Sequence, residues 1–116
     1  MTDDAQKKLQ NHLDKTHSMF GLILPDGWFG RPYDNMLSVT ELHQKNDVVS
    51  VVLDDWLAIE FKGGVEVCVE EKDRRKHVAV RGFDQLTLEY VPHGSNKKVV
   101  KAFDSGDLVF VEMSLR

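Results

Sequence analysis

From residue 36 to the end of the chain, apolar and polar side chains alternate with a period of two, interrupted only by short polar connections. A β-strand turns successive side chains to opposite faces, so this period marks strands with one wet and one buried face. Eight segments carry the pattern: residues 36–44, 48–53, 56–62, 65–70, 77–81, 84–91, 97–103 and 108–113. The connections suit antiparallel neighbours, because a parallel crossover takes roughly a dozen residues or more.

The alternation also names a core. Leu37 and Val39, then Leu57, Ile59 and Phe61, then Val65, Val67 and Val69 fall on single faces, followed by Val78 and Val80 and by Leu86, Leu88 and Tyr90. Residues 48–53 are β-branched on both faces, as in a strand covered on both sides. Trp56 falls on the polar face of its segment, beside Ala58. Turn chemistry separates the segments at Lys45-Asn46-Asp47, at Asp54-Asp55 and at residues 71–75, 92–96 and 104–107. Gly63-Gly64 is the strongest hairpin signal, since both central residues of a type I′ turn need positive φ. Gly82 marks a bend, because Phe83 is out of phase with the valines before it.

The first twenty residues have a different period. Ala5, Leu9, Leu13, Thr16 and Phe20 recur every three or four positions and trace one stripe of a helix, with Thr2 or Asp3 as its cap and Gly21 at its end. So narrow a stripe predicts a helix lying on the domain as a lid. Between helix and strands, residues 24–35 hold two of the three prolines, two of the eight glycines and three aromatic rings, with one arginine and two aspartates. Pro25-Asp26-Gly27 is a turn, and Pro32 biases Arg31 towards extended backbone, so the segment reads as an ordered loop led in by Leu22-Ile23-Leu24, a buried connector or brief strand.

The expected fold is therefore mainly β, in the α+β sense. An N-terminal helix (residues 1–20) and an aromatic Gly/Pro loop (21–35) precede an antiparallel meander of about eight strands (36–116), closed as a small barrel or packed as a two-sheet sandwich. All 116 residues are expected to form a single domain.

Charge narrows the partners. A formal net charge of −4 disfavours nucleic acid, whose phosphates select a basic surface, and leaves a basic protein open. No apolar run approaches the ~20 residues of a membrane helix, and the acidic start Met1-Thr2-Asp3-Asp4 is unlike a secretory signal, so neither a membrane span nor export is expected and the cytoplasm is the expected compartment. Cys68 is the only cysteine, which rules out an intrachain disulfide.

Catalytic signatures are lacking. His12 and His17 stand about 140° apart around a helix, and His43, His77 and His93 share no ligand spacing, so no metal and no cofactor is expected. Cys68 lies between Glu66 and Glu70 on one face, where carboxylates suppress a thiolate. Neither a G-x-S-x-G elbow nor a phosphate-binding glycine loop occurs. Asp26, Asp34, Asp54 and Asp55 leave carboxylate acid–base chemistry formally open if one barrel end gathers them.

The aromatic loop stands out instead. Trp28, Phe29, Arg31, Tyr33 and Asp34, with Trp56 as a second anchor, are the candidate binding residues, because tryptophan, tyrosine and arginine dominate interface hot spots. The competing expectation is that Trp28 and Phe29 plug the end of a barrel while Arg31 pairs with Asp34. The expected function is a non-catalytic interaction domain with a protein partner, of the small bacterial type that accompanies or neutralises another protein. A small-molecule-binding barrel or small enzyme using the loop at its mouth is the alternative, and homodimerisation along a strand edge is a third possibility.

Overall fold

The computed structural model describes residues 7, 9, 12, 13, 19–29, 37–72, 74–92 and 94–113. Ten strands run through them: β1 (Phe20–Leu24), β2 (Gly27–Trp28), β3 (Val39–Lys45), β4 (Val48–Leu53), β5 (Leu57–Lys62), β6 (Glu66–Lys72), β7 (Arg75–Arg81), β8 (Gln85–Tyr90), β9 (Val99–Phe103) and β10 (Leu108–Glu112). They form two five-stranded antiparallel sheets, a first in the order β2-β1-β10-β7-β6 and a second in the order β3-β4-β5-β8-β9. Mainly β and antiparallel is thus correct, while a closed barrel is not: each sheet keeps two edges.

The two sheets bury their inward faces in one core. The first contributes Phe20, Leu22, Leu24, Val67, Val78, Val80, Leu108 and Phe110, and the second Val49, Val51, Leu53, Leu57, Ile59, Phe61, Leu86 and Leu88. Phe20 and Phe110 meet edge-to-face with centroids 6.3 Å apart, the arrangement that the ring quadrupoles favour.

The simple meander is corrected. The chain crosses between sheets four times, after β2, β5, β7 and β9, so that β5 pairs with β8 and β10 pairs with both β1 and β7. Gly63-Gly64 accordingly closes no hairpin. Gly63 has φ +100° and donates its N–H to Asp47 O (3.1 Å) while Asp84 N–H bonds Lys62 O (2.8 Å), so the glycine turns the chain out of one sheet and into the other. Gly82 (φ +81°) makes the neighbouring crossing from β7 to β8. For the same reason residues 97–103 and 108–113 are not a hairpin: β9 pairs with β8, in the other sheet from β10. The hairpins expected at residues 45–47 and 71–75 do form, with Asn46 (φ +56°) and Arg74 (φ +64°) taking the left-handed positions.

The expected helix over residues 1–20 is not a supported element. Most of it lies outside the described residues, and its expected last residue, Phe20, opens β1. Leu9 and Leu13, on the expected apolar stripe, are fully buried members of the core. Leu22-Ile23-Leu24 is a strand, and Val69, expected inside, is exposed on the outlying half of β6. No helix among the described residues is long and apolar enough to cross a membrane.

Candidate functional site

Three aromatic rings from separate parts of the chain meet where the core ends. Phe29, just after β2, contacts Tyr90 at the end of β8 edge-to-face (5.2 Å, 89°), and Trp56 packs on both, 5.8 Å from Tyr90 and 6.3 Å from Phe29. Phe29 and Tyr90 are half-buried against the core, while Trp56 is outermost at 43% exposed. The Phe29 backbone is fixed by its N–H to Leu22 O (2.9 Å).

Trp56 is not on a strand face as its spacing implied. It occupies the β4–β5 turn, where Asp54 (φ +52°) and Asp55 (φ +62°) are both left-handed and Trp56 N–H bonds Leu53 O (3.2 Å). Aspartate tolerates that region because its short side chain bonds locally, yet two such residues in succession are still costly without glycine. Three hydrogen bonds tie the turn to Ser38 and Thr40, and a fourth links Thr40 to β4. Asp54 N–H donates to Ser38 O (2.8 Å) and Ser38 N–H to Asp54 Oδ1 (3.0 Å); Asp55 N–H donates to Thr40 Oγ1 (3.2 Å), whose hydroxyl donates to Val52 O (3.1 Å). The tryptophan is therefore presented on a braced turn.

Trp28 goes elsewhere. Opposite Ile23 on β1, it lies on the outer face of the first sheet, beside a groove of about 270 Å³ floored by Ile23, Ala79 and Val109. His77, Glu70 and the ion pair of Arg81 with Asp107 (3.1 Å) rim it. That volume is below the ~300 to 1,000 Å³ of ordinary small-molecule pockets. Of the candidate residues, the structure thus brings Phe29 and Trp56 together and separates Trp28 from them. Arg31, Tyr33 and Asp34, and with them the expected Arg31–Asp34 pair, lie outside the described residues.

Among the described residues, Asp26 is not brought together with Asp54. Asp26 faces Lys101 (3.4 Å) from the β1–β2 turn of the first sheet, whereas Asp54 spends a carboxylate oxygen on Ser38 in the second. Among the described residues no group of three or more histidine, cysteine or acidic side chains is placed to hold a metal ion. Cys68 is free and half-buried.

Sequence patterning missed Tyr90 as part of the cluster. Its signal is positional: it is the last inward residue of its strand, followed at once by Val91-Pro92, so it must sit at an end of the core. Ser38 and Thr40 fall within the alternating segment 36–44, and nothing local reveals that they brace a turn some fifteen residues away. Comparison with protein families, with curated proteins and with solved structures gives no match, so the site is interpreted from its own residues.

Proposed function

We propose that the chain is a non-catalytic protein-binding domain whose anchor is Trp56, held on the Phe29–Tyr90 platform. The observation that carries this is the exposure of Trp56 at 43% on a turn tied to Ser38 and Thr40 by three side-chain and backbone bonds. A large ring that needs no ordering on association loses little entropy when a partner covers it, and rigid aromatic anchors dominate binding energy for that reason. Strain kept at two adjacent aspartates and offset by dedicated contacts is the pattern of a presented site. Asp54 and Asp55 flank the ring, both exposed, and together with the chain's net charge of −4 they suit a basic partner surface.

Affinity capture tests it. Immobilised wild-type protein should retain a partner from a lysate of the native cell, and Trp56→Ala should retain it at least about tenfold less, the loss of a hot-spot residue. Val100→Ser, a change at another exposed apolar residue on β9, should capture it as well as wild type. Equal capture by the Trp56→Ala protein, folded by circular dichroism, would remove Trp56 from the interaction.

A further inference from the structure

Among the described residues β6 pairs on one side only, with β7. It is the longest regular edge among the described residues. β2 has two residues, the register of β3 shifts between Val39 and Glu41, and five-residue β9 has Lys101 engaged with Asp26. By contrast β6 runs seven residues in unbroken register, from Glu66 opposite Arg81 to Lys72 opposite Arg75.

We propose that the free edge of β6 accepts an added antiparallel strand from a partner protein, basic at its ends and apolar in its middle. The strand already paired with β6 shows what its side chains select. Glu66 faces Arg81, Val67 faces Val80, Cys68 faces Ala79, Val69 faces Val78 and Glu71 faces Lys76. Side chains of a strand stand perpendicular to the sheet and lie equally close to a neighbour on either side. A strand on the free side meets the same sequence of charge, apolar surface and charge, and is stabilised by the same chemistry.

Exposure favours the addition. Glu66, Glu70 and Glu71 are exposed, and Val69 is 42% exposed beside a hollow of about 430 Å³ bounded by Glu70, Glu71, Arg74 and Lys76. An apolar side chain of the added strand covers Val69, while lysine or arginine on either side of it meets the glutamates. A second copy is a poorer match, because two β6 edges paired antiparallel over their full length set Val67 against Glu71 and Cys68 against Glu70 and leave those glutamates without a basic partner. Main-chain bonds along a sheet edge supply the affinity and alternate side chains the specificity, as in other strand-addition complexes. The surface depends on β6 alone and stands whether or not Trp56 anchors a partner.

The test uses the intact protein and a synthetic peptide with the sequence of residues 75–81, Arg-Lys-His-Val-Ala-Val-Arg. Titration followed by amide NMR should shift β6 resonances and slow hydrogen exchange at alternate β6 amides, those facing the free edge. Glu70→Lys combined with Glu71→Lys should weaken binding at least tenfold, and a scrambled peptide of the same composition should bind at least tenfold less tightly. No binding overturns the proposal. So does equal binding of the scrambled peptide, which would show charge attraction without strand pairing, and so does lost protection in β7, which would show strand displacement.

Discussion

Phe110→Ala is expected to lower the free energy of unfolding by about 3–5 kcal/mol, the usual loss when a fully buried phenylalanine is truncated in a core that cannot close over the void. Phe110 has no exposed surface, sits in the central strand β10 between β1 and β7, and supports the ring of Phe20 from one side. The void cannot easily collapse, because β10 is hydrogen-bonded on both sides and the facing sheet is held apart by its own buried leucines. Domains of this size have roughly 5–15 kcal/mol in total, so the variant loses a large part of its stability and melts many degrees lower. Val109→Ala, on the half-buried outer face of the same strand, should cost about 1 kcal/mol. Urea unfolding of the two variants measures the difference. Equal and small losses would mean that the two sheets do not share a core at Phe110.

Gly63→Ala carries the second-largest effect, about 2 kcal/mol or more from backbone strain and crowding together. At φ +100° an alanine is in a region that L-residues rarely enter, and its Cβ would stand 2.5 Å from Asp84 Oδ2 and 3.1 Å from the Asp84 backbone nitrogen. The aspartate side chain can swing away, whereas the backbone nitrogen is committed to Lys62 O and cannot. Gly64→Ala is the matched control: a Cβ there meets nothing within 4 Å, and its backbone is not in the positive-φ region, so its change should stay within about 0.5 kcal/mol. A type I′ hairpin would place both glycines at positive φ and make both substitutions costly, so comparison of the two melting curves separates a crossover from a hairpin directly.

That pair of glycines also shows why the strands were legible and their connectivity was not. Alternation at Leu57, Ile59 and Phe61 or at Leu86 and Leu88 declares a buried face locally, and all five residues are fully buried. Positive φ is demanded equally by a tight hairpin and by a change of sheet, so Gly63-Gly64 gives one signal for two topologies. β1 was obscured differently, since an unbroken apolar run such as Leu22-Ile23-Leu24 has no period and only its pairing with β10 identifies it. The candidate site was half visible for the same physical reasons. Trp28 and Phe29 are consecutive and point to opposite sides of the sheet, which the period of two already implies and which separates them in function. Tyr90 joins Trp56 only because β8 returns to pair with β5 after the chain has passed through the other sheet, a non-local event that neighbouring residues do not encode.

The central claim, that Trp56 is the anchor of a protein interface, is tested most directly by its own fluorescence. The chain has two tryptophans, so in Trp28→Phe protein all tryptophan emission comes from Trp56. On titration with the captured partner, that emission should shift to the blue and become shielded from acrylamide quenching, with a midpoint equal to the dissociation constant measured independently. Emission and quenching that stay constant through saturation would show that the partner binds without covering Trp56, and would contradict the assignment.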